Sequence, residues 1–350
     1  MNLVFITPQL RRGGAEKQLW LLTNAIALKH KVFIIVFDNK IDFDFDERIT
    51  ILKVSDVFQL LKILVQLLKS TSRPVVCTWG NNQKYLLLLL VLQIFFTFRL
   101  VGSERENLFK SERRFRLLYI IAEVLFGFLR FKLFFNSEEP LKKFQRLRFC
   151  RKEKLMLLPN IVEYADTRIP VNAGKSTSGK DRALQMVYVG RLALIKNVEN
   201  LIIEMSVIDT YFKRWRLTIY GDGPRYEAIR LLIKNVGLSD KIRLMGHKEL
   251  SVSELSRFDL GINVSKSEGM SNSILEYLSC GLFVICTKVG DTYKSVPDTN
   301  LKLNSVKELR TQFHKILEAD FDEVGKENKL ACKNYKCENI ARVFIESLEL

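Results

Sequence analysis

The chain has 350 residues, 47% of them hydrophobic, which suffices for a sizeable core in two domains of ordinary size and excludes a disordered polymer. Its 55 Lys and Arg against 39 Asp and Glu give a formal net charge of +16, so an anionic partner or surface has to be weighed. Six scattered cysteines (Cys77, Cys150, Cys280, Cys286, Cys332 and Cys337) form no Cys-x-x-Cys, and only three histidines are present, which speaks against a zinc site and for reduced thiols in the cytoplasm.

Residues 1–10 lack the basic start and cleavage pattern of a signal peptide, and none is expected. Residues 2–7, NLVFIT, read as a short buried strand. The loop PQLRRGG follows, then helical spacing over 15–28 with Leu19, Leu22 and Ile26 near one face, then a strand over 32–37. Strand, glycine loop, helix and strand open a doubly wound α/β sheet. The glycines lack the Gly-x-Gly-x-x-Gly spacing, so a dehydrogenase-type fold gains no support. Gly13-Gly14 reads either as a plain tight turn or as a place where backbone approaches a ligand.

Further strands are expected at 51–54, 74–78 and 99–103, and helices at 57–69 and 85–98. The latter, YLLLLLVLQIFFTF, has 14 residues, is too short to span a bilayer, and reads as a buried helix in preference to an interfacial one. The strand at 99–103 runs into Glu104, Arg105, Glu106 and Asn107. Polar residues at the C-terminal end of a parallel strand are where such sheets place ligands, although a surface loop would look the same.

Residues 113–154 interleave Lys and Arg with Phe and Leu, and 117–135 read as an amphipathic helix followed by a strand. Residues 1–170 carry 28 Lys and Arg against 16 Asp and Glu, a net of +12, while the other 180 carry 27 against 23, a net of +4. Basic residues among aromatics at helical spacing suit an anionic membrane surface, or a solvated face over core aromatics. No transmembrane helix is expected. No zinc-finger, RNP or P-loop pattern points to nucleic acid, and none is expected as a partner. Residues 165–182 are polar and read as the linker between a first domain, 1–165, and a second, 166–332.

The second domain opens with a strand at 185–189. Gly190, Arg191 and Leu192 follow, and Lys196-Asn197 precede a helix at 198–207. Two cations beside a glycine at a strand-to-helix turn can clamp a diphosphate, or can be ordinary surface charges. A strand at 216–220 ends in Gly221-Asp222-Gly223-Pro224 before a helix at 225–236. Gly246-His247 end the next strand. A helix is expected at 306–317, and residues about 333–350 are helical in pattern.

Residues 263–291, NVSKSEGMSNSILEYLSCGLFVICTKVGD, read as a strand end, a polar turn, a helix and a buried strand. Glu268 closes the turn, and Gly269, Met270, Ser271 and Asn272 open the helix. Their backbone N–H groups have no intrahelical partner and can donate to a ligand, and a helix start favours negative charge. Glu276 sits two turns on, roughly 10–12 Å along the axis, so a ligand touching both carboxylates would be long. A capped helix with two surface glutamates is the plainer reading.

This stretch resembles the Glu-x7-Glu segment of family 4 (group 1) retaining glycosyltransferases of the bacterial surface-polysaccharide type. Gly13-Gly14-Ala15-Glu16, Ser103–Asn107, LFFNS at 133–137, LLPNIVE at 157–163, Gly190-Arg191-Leu192 with Lys196-Asn197, and Gly221-Asp222-Gly223-Pro224 are similar to further motifs of that family, in order along most of the chain.

The resemblance implies a GT-B fold: two Rossmann-like doubly wound α/β domains facing a central cleft, with the C-terminal helix (about 333–350) returning to the first. It implies that Glu268 orients the donor sugar and Glu276 holds the ribose, while Arg191 and Lys196 stabilise the diphosphate. Gly14, Gly190, Gly221, Gly223, His247 and Gly269–Asn272 would line the donor site, and Glu104, Arg105 and Asn107 the acceptor side. Expected partners are a nucleotide-sugar, with UDP as the nucleotide, a lipid-linked or saccharide acceptor, and the inner face of the cell membrane, on which a cytoplasmic protein would lie peripherally. O-antigen, capsule or exopolysaccharide synthesis would be the setting. No cofactor and no metal are expected. The first-domain histidine of many family members has no counterpart here. A non-catalytic GT-B module that binds sugar-nucleotides or carbohydrate within a complex is the alternative reading.

Overall fold

The computed structural model describes residues 1–80, 83–105, 131–146, 152–163 and 182–349. The expected linker, the helical part of 117–135, Cys150 and Asn107 lie outside the described residues. The chain divides into two compact units, Met1–Ile161 with Cys337–Leu350, and Val162–Lys336.

The first unit is built on a seven-stranded parallel sheet ordered β3-β2-β1-β4-β5-β6-β7. The strands are β1 Asn2–Thr7, β2 Lys31–Val36, β3 Ile49–Lys53, β4 Val75–Trp79, β5 Arg99–Glu104, β6 Phe131–Phe135 and β7 Leu155–Leu157. Continuous apolar runs suit strands covered on both faces, and β1 shows it. Leu3 and Phe5 point into one core, with α1 (Gly14–Ala27) and the C-terminal helix Cys337–Glu349. Val4 and Ile6 point into another, with α2 (Val57–Ser70) and α3 (Gln83–Phe95). Asp56 caps α2 by accepting from the Gln59 amide at 2.9 Å. A shorter helix, α4 (Glu138–Gln145), follows β6.

The apolar run expected as a buried helix at 85–98 is buried on one side only. Leu89, Leu90 and Leu92 are inside, whereas Val91, Ile94 and Phe95 are 46%, 76% and 73% exposed. One layer of helix covers one face of a sheet, so an all-round apolar helix leaves its far side in solvent. The helix also stops at Phe95, short of Phe98, which is buried ahead of β5.

The second unit has a six-stranded parallel sheet ordered β10-β9-β8-β11-β12-β13. Its strands are β8 Leu184–Val189, β9 Trp215–Tyr220, β10 Ile242–Leu244, β11 Leu260–Asn263, β12 Phe283–Thr287 and β13 Leu301–Leu303. The main helices are α5 Val198–Ile208, α6 Tyr226–Asn235, α7 Asn272–Ser279 and α8 Phe321–Cys332.

The helix expected at 306–317 is broken instead into Val306–Glu308, Leu309–Gln312 and His314–Glu318. Phe313, 1% exposed and packed on Phe212, sits at the break, and the chain tightens there through Ile316 N–H to Phe313 O. Helix α8, unforeseen from sequence, carries Gly325 in its middle. A Cβ there would lie 2.9 Å from Gly281 O, so this glycine lets α8 lie close against the turn after α7.

Candidate donor site in the second unit

Strands β8 and β11 are neighbours, while the strand order runs outward from them in both directions. The loops leaving their C-terminal ends therefore diverge and open a crevice, the usual ligand position in a doubly wound sheet. The loop after β8 carries Gly190, Arg191 and Lys196. The loop after β11 carries Glu268 and Gly269.

The two loops are stitched together. Lys266 N–H donates to Ile195 O at 2.8 Å, and Asn197 Nδ2 donates to Val264 O at 3.2 Å. Asn197 takes a left-handed conformation at φ 62° as it caps α5, which its short polar side chain tolerates. Thr287 at the end of β12 donates its hydroxyl to Ser265 O at 2.6 Å.

Three donors converge on one oxygen of Glu268. Lys196 Nζ lies 2.5 Å from Oε1, Ser265 Oγ 2.6 Å, and Asn263 Nδ2 3.4 Å. Asn263 also donates to Ser271 Oγ at 2.9 Å and Ser273 Oγ at 3.2 Å, and its own Oδ1 accepts from Ser265 N–H. Oε2 of Glu268 accepts nothing among the described residues. A charged donor and a short hydroxyl bond on one side thus leave the other oxygen for a hydroxyl of a ligand.

The start of α7 differs from the sequence expectation. Ser271 is the N-cap, and Asn272 is the first helical residue, so Gly269 and Met270 precede the helix. The Ser271 amide is not available, because it donates to Thr292 Oγ1 at 2.7 Å. Gly269 O accepts from Asp291 N–H at 3.0 Å. This is possible because Gly290 sits at φ +69°, where a Cβ would meet Gly269 O at 2.4 Å.

Helix α7 is held in register by Tyr277. Its hydroxyl accepts the last β8 amide, Val189 N–H, at 2.8 Å, and its ring fills the space where a Cβ on Gly261 would stand, 2.3 Å away. Burial drives this phenol well above its ordinary pKa, so it stays neutral. Glu276, one position before Tyr277, is half-buried.

Gly221 and Gly223 fix the loop after β8 from the other side. A Cβ on Gly221 would stand 1.9 Å from Gly190 O, and one on Gly223 2.4 Å from Leu192 O. Leu192 N–H donates to Asp222 O at 2.8 Å. Between these fixed points Arg191 is exposed, and its guanidinium makes no hydrogen bond or ion pair among the described residues. His247 is exposed, just after Gly246 at φ +70°.

In the first unit the corresponding crevice lies between the C-terminal ends of β1 and β4. Glu16 folds back over Gly13, where a Cβ would meet its Oε2 at 2.2 Å, and accepts from Gln9 Nε2 at 2.8 Å. Gly14 begins α1. Glu104 is buried at the end of β5.

Arg105 turns inward. Its guanidinium lies 4.2 Å from the Trp79 ring and donates to Ser103 Oγ at 2.9 Å, Leu158 O at 3.0 Å and Asn160 Oδ1 at 3.3 Å. Burial pulls it down to about 9, still cationic at neutral pH. Sequence reading gave no site role to Trp79, Asn160, Asn263, Ser265 or Thr287. Only Asn263, the last residue of β11, and Ser265 just after it carried a positional signal.

Comparison with known proteins agrees with this architecture. Residues 183–319 match the family described as "Glycosyl transferases group 1". A phosphatidylinositol N-acetylglucosaminyltransferase component from Arabidopsis thaliana is 26% identical over 148 residues, 41% of this chain and 32% of that protein, so the match spans about a third of that relative. The N-acetylgalactosamine-N,N'-diacetylbacillosaminyl-diphospho-undecaprenol 4-alpha-N-acetylgalactosaminyltransferase of Campylobacter jejuni is 24% identical over 292 residues, 79% of this chain and 78% of that one. The solved structure of HepE from Anabaena with UDP and glucose superposes at a TM-score of 0.76 and 16% identity, covering 99% of both chains. In architecture the chain thus has the two-domain α/β GT-B fold, and residues 183–319 of its second unit are similar to group 1 glycosyl transferases.

Proposed function

We propose that the protein is a retaining glycosyltransferase of family 4, moving a sugar from a UDP-sugar to a lipid-linked or saccharide acceptor during O-antigen, capsule or exopolysaccharide synthesis. The observation that carries this reading is the Lys196–Glu268 pair at the β8/β11 crevice, with the Arg191 guanidinium, which has no partner among the described residues, on the same loop as Lys196. Negative charge grows on the diphosphate as the sugar leaves, and two cations placed there stabilise it. Glu268 orients the sugar through Oε2, and Glu276 holds the ribose. No cofactor or metal enters this reading. The Campylobacter relative's name gives it a diphospho-undecaprenol-linked acceptor, which supports a lipid-linked acceptor here.

A peripheral position on the inner face of the membrane fits the +12 net charge of residues 1–170 and the exposed Ile94 and Phe95. Among the described residues no helix is long and apolar enough to cross a membrane. Binding to anionic vesicles that salt reverses would support this part, and equal binding to neutral vesicles would count against it.

The test of the donor site is a thermal-shift screen with UDP-, GDP-, CMP- and dTDP-sugars, repeated on Glu276→Ala. Stabilisation by UDP-sugars that the variant loses is the expected result. Absence of any shift in the wild-type protein would leave an enzyme that binds its acceptor first, or a non-catalytic carbohydrate-binding module.

A further inference from the structure

We infer that Ser265 and Asn263 are positioning residues that keep Glu268 aimed when Lys196 leaves it for the donor diphosphate. This rests on the donor-site reading above.

Lys196 is the only cation hydrogen-bonded to Glu268 among the described residues, and it sits on the proposed diphosphate loop. An ammonium has three protons and one position. A diphosphate beside Arg191 competes for it with more charge than one carboxylate offers. As Lys196 turns to the phosphates, Glu268 loses its charged donor at the moment it must hold a sugar hydroxyl.

Two groups remain on Oε1. Ser265 Oγ at 2.6 Å has no other hydrogen-bond acceptor among the described residues, so its hydroxyl serves Glu268 alone. Asn263 Nδ2 at 3.4 Å is fixed by Ser271, by Ser273 and, through its own Oδ1, by the Ser265 amide. Ser265 is 1% and Asn263 4% exposed, so neither can follow Lys196 outward. Their backbones are fixed independently, by β11 and by Thr287 to Ser265 O. The arrangement keeps Oε1 occupied and Oε2 presented whether or not Lys196 is present. Sequence offers no sign of this, because the serine works across three residues of an irregular turn.

The experiment compares the wild-type chain, Ser265→Ala, Ser265→Cys, Glu268→Gln and the Ser265→Ala/Glu268→Gln double variant. Calorimetry gives the affinity for UDP. Release of UDP from UDP-glucose, UDP-galactose and UDP-N-acetylglucosamine gives kcat and KM. Ser265→Cys keeps the side-chain volume with a weak donor, so it separates loss of the hydrogen bond from loss of packing.

UDP affinity should stay within about twofold in both Ser265 variants, while kcat falls about tenfold, the scale of one charge-assisted hydrogen bond. On the Glu268→Gln background Ser265→Ala should add less than about twofold, because its target is already changed. Loss of UDP affinity in Ser265→Cys, or a full additional loss in the double variant, overturns the inference and leaves the donor site standing. A wild-type protein that neither binds UDP nor consumes any of the three donors overturns the donor-site reading and this inference with it.

Discussion

Lys196 and Glu268, separated by 72 residues of sequence, meet at 2.5 Å with their side chains 24% and 11% exposed. Removing one partner of a pair this sheltered costs more than breaking a surface ion pair, because the remaining charge is left half-buried, and the pair ties the proposed phosphate loop to the proposed sugar carboxylate. The two partners should nevertheless respond differently to mutation. Lys196→Met removes a donor to phosphate and should weaken UDP binding about 10- to 100-fold, the range of a hydrogen bond to a charged group. Glu268→Gln frees Lys196 and removes a negative charge beside the diphosphate, so UDP binding should hold or tighten while sugar release slows. Calorimetry with UDP decides it, and an equal loss in both variants would mark the pair as merely structural.

Gly221 and Gly237 offer a paired test of how the donor loops are held. An added Cβ at Gly237 meets nothing within 4 Å, and the only burden is its φ of +71°. Gly237→Ala should therefore cost about 1 kcal/mol. At Gly221 the new atom would sit 1.9 Å from the backbone oxygen of Gly190, which has no rotamer to move aside. Gly221→Ala should cost about 3 kcal/mol or more and displace the Gly190–Leu192 turn, so UDP binding should go with it. Thermal melts of both variants check the ranking. Similar melting temperatures would mean that the loop after β8 adapts.

The strands and their order of appearance were legible because parallel strands buried on both faces are written as continuous apolar runs, as in residues 2–7 and 283–287. The two glutamates were legible through their spacing around a helix start. Strands β7 and β13, three residues long each, were not expected because they are too short to leave a pattern, and α8 is polar with a glycine inside. The pairing of Glu268 with Lys196 was not legible because Lys196 comes from another loop, the turn after β8, and that with Asn263 and Ser265 because it is made across an irregular turn at the end of β11. The Ser271 amide looked free because its acceptor, Thr292, lies 21 residues away on the loop after β12. Arg105 looked like a ligand-facing cation. It turns inward because Trp79 presents a ring face and Leu158 and Asn160 present oxygens.

That inward turn makes a stability prediction. Lysine cannot reproduce the planar fork that reaches Ser103, Leu158 and Asn160 while stacking on Trp79. Arg105→Lys should therefore lower the stability of the first unit by about 2–3 kcal/mol, nearly as much as Arg105→Ala. Donor affinity should not change, since the guanidinium is spent on Ser103, Leu158 and Asn160 and turned away from solvent. A lysine variant with native stability and impaired transfer would instead assign Arg105 to the acceptor.

The buried thiols give a pH prediction with a fixed sign. Burial raises Cys77, Cys286 and Cys332 to about 12 and Cys280 to about 11, against 9.0 for the free thiol. Folding thus favours the protonated thiol. The stability this contributes is complete below pH 9 and is lost as the pH rises through 11 to 12, because only the unfolded chain then ionises freely. The melting temperature should fall progressively above pH 9. At pH 8 a thiol reagent should leave these four cysteines unmodified in the native protein and reach them only on unfolding. Changing all four to alanine or serine is too disruptive a control, whereas Cys77→Val alone keeps the volume and should flatten the alkaline fall by its share. Rapid native-state labelling of Cys280 or Cys332 would show that α7 and α8 open locally far more often than their close packing at Gly281 and Gly325 implies.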